Sequence, residues 1–379
     1  MHDHGTDERF LRQALDLARQ GIGLASPNPC VGAVVVDAKG NIVGEGTHLY
    51  DGLKHAEILA LEQAGEKTRG ATLYINLEPC SHQGRTGSCA DAVIAAGISR
   101  VVACMQDPNP QVNGKGFARL RSAGIEVATG GLEAEAKRLN EAFAKYVRHK
   151  TPLITLKAAM TLDGKIAPPH TKSQQPRVEW ITGEPARAHV HELRHQSDAI
   201  LVGVGTVIAD DPLLTDRGGR PRRRPLLRVV LDSRLRLPLA SQLVRTAQDD
   251  VLVLCSFAEE KKKKQLLKLG IHVEQLPKAT SDGHPDLSVV ARFLGEMEIT
   301  SLMIEGGSMV NGAALNAGIV DKVFLYYAPK ILGGADSIPL ATGPGFTRIK
   351  DAPVVKSLRV HHLGEDFAVE GYLKDPYAD

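Results

Sequence analysis

The sequence predicts a two-domain α/β protein, and three observations carry that prediction. Short runs rich in Val, Ile and Leu alternate with helical patterns, as strands covered by helices do. A charged amphipathic stretch, residues 132–149, is closed by Thr151-Pro152, after which a new strand begins. At 379 residues the chain is long enough for two separate cores. The domains are therefore placed at residues 1–150 and 151–379.

In the first domain, Thr6 can cap a helix from Asp7 to about Gly21, with Phe10, Leu11, Ala14, Leu15 and Ala18 on one face. Two prolines hold Ser26-Pro27-Asn28-Pro29-Cys30 extended. It leads into a hairpin of residues 31–36 and 42–47. Asn28 could bond a pyrimidine edge there or serve as a plain turn residue. His55 to Ala64 reads as a helix ended by Gly65, residues 71–77 as a strand, and residues 88–97 as a helix capped by Ser88. A strand at 100–104, a turn-rich loop at 107–116, a helix near 117–123, a strand at 125–128 and one helix over 132–149 complete the domain.

The second domain opens with a strand at 153–159. A helix runs from the Trp180–Pro185 segment to about His195, and a buried strand follows at 198–202. The next turn, Gly203-Val-Gly205, is not a dinucleotide fingerprint, because Ile208 stands where the third glycine belongs. Residues 221–225 and 261–264 read as solvated basic segments. Ser233-Arg234 ends the strand 226–232, at the kind of position where α/β folds bind cofactors. Arg234 hints at a 2′-phosphate partner. Residues 301–308 give strand, glycine turn and helix, whose first N–H groups can take a phosphate.

The chemistry concentrates in His55-Ala56-Glu57, Pro79-Cys80 and Cys89. A soft-metal hydrolytic site needs three firm ligands, an open position and a nearby carboxylate that does not bind the metal. One imidazole, two thiols and Glu57 meet that description. The pattern matches the H-x-E and P-C halves of the zinc nucleobase-deaminase signature, except that eight residues separate the cysteines where the signature has two. His55 and Glu57 lie roughly 200° apart around a helix, so they share a site only if the metal lies at the helix end. His82, within the Cys loop, is either a substrate contact or a solvent-facing side chain.

Net charge is +2 and aromatic content 4%, which disfavours a nucleic-acid stacking platform. The five cysteines are odd in number, and Cys30, Cys104 and Cys255 show no partner spacing, so a reducing cytoplasm is expected and a disulfide framework is not. The polar start lacks an apolar signal region, and no run of about 18 apolar residues occurs. Neither export nor a membrane span is expected.

The chain resembles the bifunctional riboflavin-biosynthesis deaminase/reductases in SPNPCVGAVVV, HAEILAL, LEPCSHQGRTGSC, LKAAMTLDGK, WITG, LVGVGTVIADDP, IEGG and YYAPKILGG, which span nearly its whole length. The long Cys loop is similar to this family's own form. The resemblance implies a cytidine-deaminase-like N-terminal domain and a C-terminal domain of dihydrofolate-reductase-like fold. It implies zinc on His55, Cys80 and Cys89, with Glu57 as proton carrier, deaminating 2,5-diamino-6-(5-phosphoribosylamino)pyrimidin-4-one. It further implies NADPH-dependent reduction of the ribosyl group to ribityl. Asp210 then matches the catalytic carboxylate, which also counts among the cofactor positions. Ala159, Trp180, Thr206, Ser233, Gly307 and Ser308 match the other cofactor contacts, and Arg194, Leu214, Arg217 and Glu305 substrate contacts. Lys157 either sits nearby or is an ordinary edge-strand lysine.

The chain departs from the family at a longer, proline-containing segment, residues 168–176, and at Val178, where the family has a substrate-binding Ser. Ser173 is a replacement candidate, and the contact stays unassigned. The expected partner is a small phosphorylated pyrimidine, with no nucleic acid or membrane, and a homo-oligomer is expected. The alternatives are a nucleic-acid base deaminase with a non-redox accessory domain, and a C-terminal half that only binds or assembles.

Overall fold

The computed structural model describes residues 4–81, 87–169, 179–277 and 283–378. The chain divides into two compact units, Met1–His149 with Pro221–Arg224, and Lys150–Arg220 with Pro225–Ala378. In the first, α1 (His4–Arg19), β1 (Gly32–Val36), β2 (Ile42–Thr47), α2 (Ala56–Ala64), β3 (Thr72–Ile75), α3 (Cys89–Ala95), β4 (Arg100–Ala103), α4 (Lys115–Ser122), β5 (Glu126–Thr129), α5 (Glu133–Leu139) and α6 (Glu141–His149) follow in order. The sheet order is β2-β1-β3-β4-β5. β1 runs antiparallel to β2 and β3, and β3, β4 and β5 are parallel.

The expected apolar face of α1, from Phe10 to Ala18, is buried. Two expectations fail: α1 begins at His4, so Thr6 lies inside it instead of capping it, and residues 132–149 are two helices, not one, which part at Asn140. Asn140 is buried, its Oδ1 accepting from Cys30 N–H at 2.8 Å and its Nδ2 donating to Cys30 O at 3.1 Å. Those two bonds tie the helix break to the entrance of β1, a tertiary demand that periodicity does not carry.

Two glycines set how closely α2 approaches the sheet. A Cβ on Gly44 would lie 2.0 Å from Ala60 O, and one on Gly46 would lie 2.1 Å from Ala56 O. Both carbonyls belong to α2, so the helix that starts beside His55 rests on β2 backbone to backbone.

The second unit contains β6 (Leu153–Thr161), β7 (Lys165–Ala167), α7 (Glu184–Gln196), β8 (Ala199–Gly203), α8 (Val204–Asp210), β9 (Leu227–Leu231), α9 (Gln242–Arg245), β10 (Val251–Cys255), α10 (Glu260–Lys268), β11 (Ile271–Gln275), α11 (Leu287–Glu296), β12 (Ser301–Ile304), α12 (Ser308–Asn316), β13 (Lys322–Ala328), β14 (Ile338–Pro339), β15 (Lys356–Leu363) and β16 (Asp366–Tyr372). Nine strands form one sheet in the order β11-β10-β9-β8-β12-β6-β13-β16-β15. From β11 to β13 neighbours are parallel, and β16 and β15 close the sheet antiparallel. Successive residues of β8 enter different cores, Ala199 and Leu201 one and Ile200 and Val202 the other. Both faces are therefore covered, which is why these strands read as unbroken apolar runs.

Gly46→Ala is expected to lower the stability of the first unit by about 1–3 kcal/mol, the usual cost of overpacking. Gly52→Ala, whose Cβ would meet nothing closer than 3.9 Å, is the control. Chemical denaturation of both variants measures the difference.

Candidate functional site

In the first unit, three segments bring their sulfur and nitrogen atoms together. His55 is the N-cap of α2, with extended backbone at ψ 158°, so its ring is directed by the chain before the helix, while Glu57 sits inside the first turn. This resolves the opposed azimuths of residues 55 and 57. Cys89 opens α3, where Ser88 Oγ accepts from Asp91 N–H. Cys80 follows β3, and the start of α3 is tied to it: Ala90 N–H donates to Cys80 O at 3.0 Å and Cys89 N–H to Cys80 Sγ at 3.5 Å.

His55 Nδ1 lies 3.1 Å from Cys89 Sγ and 3.6 Å from Cys80 Sγ, and one ligand atom from each residue falls within 4.8 Å of the others. Tetrahedral zinc with ordinary Zn–S and Zn–N bonds separates such atoms by about 3.6 Å. The donor chemistry fits as well. The Cys89 hydrogen bond and then His55 hold the Cys80 thiol down at about 4, whereas the bond to Cys80 and burial push Cys89 up. The Glu57 side chain is buried against this group, and burial pushes its carboxyl up to about 7.

Motif reading missed three residues here. His48 Nδ1–H donates to Lys54 O at 2.9 Å, which leaves Nε2 to accept from the Asn28 amide at 3.0 Å. Burial lowers its pKa, and its ring lies 5.1 Å from that of His55. Glu78 is buried and accepts from the backbone N–H groups of Asp107, Gly114 and Phe117 at 3.1, 2.9 and 3.1 Å. One carboxylate thereby shapes the turn-rich loop beside Cys80. Asp107 is itself buried, and desolvation raises its carboxyl to about 7. The only available sign for Glu78 was its place before Pro79-Cys80; His48 and Asp107 carried none. His82 lies outside the described residues, as do Ser173 and Val178.

In the second unit, the carboxyl ends of β9, β8, β12 and β6 are neighbours, the edge at which open α/β sheets bind ligands. Glu305 follows β12 and receives Arg194 in a fork, Nε to Oε1 at 2.7 Å and Nη2 to Oε2 at 2.9 Å. Lys157 Nζ is 3.7 Å from Glu305 Oε2. Burial alone would raise the Glu305 pKa, but the Arg194 and Lys157 charges outweigh it and hold it near 2. Burial lowers the pKa of Lys157, partly offset by Glu305. β6 is central in the sheet, so Lys157 is not an edge-strand residue.

A Cβ on Gly307 would meet Thr206 Oγ1 at 3.0 Å, which places the glycine turn directly against α8. Ser308 Oγ donates to Pro339 O at 2.7 Å, so what Ser308 offers a ligand is the backbone N–H at the start of α12. Ala159 lies in β6, half-buried. Trp180 is 60% exposed with the Arg187 guanidinium 5.0 Å from its ring centre. Asp210 is exposed and ends α8. Ser233, just beyond β9, pairs its Oγ with His284 Nδ1 at 2.7 Å. Leu214 is buried in left-handed conformation, and Arg217 is exposed three residues on. Asp163, in the second domain's opening motif, accepts from the backbone of Leu332 and Gly333 at 3.1 and 2.7 Å, joining two of the motif segments.

The Glu305 shift has a pH signature. Because the folded pKa is depressed, its stabilisation is complete above the ordinary value of 4.5 and is lost as pH falls toward about 2. Stability of the parent is expected to fall across that window. Glu305→Gln should be less stable at neutral pH and flatter below pH 4.5, as followed by denaturant midpoints.

Both halves of the chain match known protein families. Residues 4–105 match the cytidine and deoxycytidylate deaminase zinc-binding region, and residues 152–369 match the RibD C-terminal domain. Riboflavin biosynthesis protein RibD of Escherichia coli (strain K12) is 43% identical over 95% of this chain and 97% of its own length. The protein of that name from Actinobacillus pleuropneumoniae is 42% identical over 98% and 96%. The crystal structure of a diaminohydroxyphosphoribosylaminopyrimidine deaminase/5-amino-6-(5-phosphoribosylamino)uracil reductase from Thermotoga maritima superposes with a TM-score of 0.83 at 37% identity, covering 98% of this chain and 99% of that one. Family models on both halves, and relatives matched over nearly their full length, establish that this chain belongs to the RibD family of bifunctional riboflavin-biosynthesis deaminase/reductases.

Proposed function

We propose that residues 1–150 carry out the deamination through His55, Cys80, Cys89 and Glu57, and that residues 151–379 carry out the reduction at the strand ends around Glu305. The observation that carries the first half is the convergence of His55, Cys80 and Cys89 within 4.8 Å beside a buried carboxylate. Those three residues would hold zinc, which supplies Lewis acidity and an acidified water. Glu57 takes the proton that the attacking water gives up and returns it to the departing amine, a role suited to a carboxyl poised near 7. Asn28 and His48, locked to each other, orient the pyrimidine edge. Glu78 fixes the 107–117 loop that follows β4, through the N–H groups of Asp107, Gly114 and Phe117.

In the reductase half, NADPH supplies the hydride, so this chain's residues bind and align. Thr206, Gly307, the N–H of Ser308, Ala159, Trp180 and Ser233 would hold the cofactor, and Asp210 would serve as the catalytic carboxylate that also contacts it. Arg194, Glu305, Leu214 and Arg217 hold the substrate, Arg217 suiting its phosphate. Lys157, half-buried with its Nζ 3.7 Å from Glu305 Oε2, would stabilise charge on the carbonyl oxygen. The cytoplasm is the proposed compartment, since no disulfide links the described cysteines; no described helix is long and apolar enough to cross a membrane.

We also propose a homo-oligomer. β15 is an edge strand, and Leu358 and Val360 on it are 60% and 58% exposed, close in sequence to Val354 at 70%. Such an edge invites pairing with another copy.

Glu57→Gln is expected to retain about one zinc per chain while deaminase kcat falls about 10²- to 10⁴-fold, with reductase turnover unchanged. Cys89→Ser should lose the zinc as well. Metal analysis alongside separate assays of the two steps checks both, and a Glu57→Gln enzyme of parental activity would remove Glu57 from the mechanism. Val360→Asp should shift the mass measured by sedimentation toward the monomer.

A further inference from the structure

The stretch Asp211–Arg217 has no regular structure, yet side chains from several elements hold it. Gln242 Nε2 donates to Asp211 O at 2.7 Å, Arg228 Nη1 to Leu213 O at 3.1 Å, and Arg194 Nη1 to Thr215 O at 3.0 Å. The next residue of α7 supplies a further anchor. His195 Nδ1–H donates to Asp216 Oδ2 at 2.9 Å, and the two side chains are only 3% and 6% exposed. Asp216 Oδ1 accepts from Gly218 N–H at 3.1 Å. Arg217 is therefore bracketed, its predecessor pinned to α7 and its successor tied to the same carboxylate, while its own side chain stays exposed.

Burying an imidazole and a carboxylate costs desolvation that an apolar pair would avoid, so this contact is a poor way merely to gain stability. What it provides is direction: a hydrogen bond fixes where Asp216 points, and with it where Arg217 leaves the loop. Two consecutive residues of α7 thus divide the work. Arg194 clamps Glu305 and Thr215 O, and His195 locks Asp216.

We infer that His195 and Asp216 are a positioning pair that presets Arg217 for the phosphate of the reductase substrate. This rests on the proposal that Arg217 binds that phosphate. Without the pair, residues 216–218 must be ordered at the moment of binding, and that entropy appears in the substrate KM. The contact is made equally in ground and transition states, so kcat is spared.

The test is steady-state reductase kinetics with the phosphorylated deaminated pyrimidine and NADPH. His195→Ala and Asp216→Ala should each raise the substrate KM about tenfold, with kcat and the NADPH KM within about twofold. His195→Asn, which keeps an N–H near the Nδ1 position, should recover most of the loss. In an Arg217→Ala background the His195→Ala effect should vanish. An undiminished effect in that background, or equal rises in both KM values, would reduce the pair to a structural contact and overturn the inference. If His195→Ala loses the fold, as NADPH binding would reveal, Asp216→Ala and the Asn rescue decide by the same criteria. An Arg217→Ala enzyme with parental substrate KM would instead overturn the phosphate assignment beneath it.

Discussion

The first domain depends on a charge problem solved at two helix starts. Two thiols, an imidazole and a carboxyl are packed together away from water, and such a group is stable only if a cation gathers it or protons stay on it. His55, at the N-cap of α2, and Cys89, at the first position of α3, place these groups where helix N–H ends favour negative sulfur. The approach is set by backbone: α2 sits on Gly44 and Gly46, and α3 is tied to the Cys80 carbonyl. Fold and chemistry are therefore one constraint, since anything that lifts α2 also moves His55 and Glu57.

The second domain answers the same kind of problem with its own side chains. Glu305 is buried, but Arg194 and Lys157 supply two positive charges against it, and the fork from Arg194 satisfies both carboxylate oxygens. Buried charge of this sort is justified by position rather than stability. It gathers α7, β6 and β12 at the strand ends, where the glycine turn before α12 and the start of α8 also meet.

Much of this was legible in residues. The hairpin at 31–47, α2 and its end at Gly65, Ser88 as a cap, and the strand–turn–helix at 301–308 follow from local pattern, and local pattern positioned them. What escaped was set by tertiary contact. Asn140 breaks a helix that periodicity continues, because its amide is needed at Cys30. Glu78 looks like part of a metal motif yet works on backbone N–H groups up to 39 positions later. His48 has no motif around it, and Lys157 could be placed only once β6 proved central rather than an edge. The His195–Asp216 bond joins residues 21 apart that no spacing rule links.

Deamination by the first domain depends on which atoms surround one ion. X-ray absorption at the zinc edge of the purified protein tests this most directly. Two sulfurs at about 2.3 Å with two nitrogen or oxygen atoms at about 2.0–2.1 Å is the predicted shell, one of the light atoms being exchangeable. A shell of four protein ligands with no exchangeable position, or one lacking sulfur, would contradict the account.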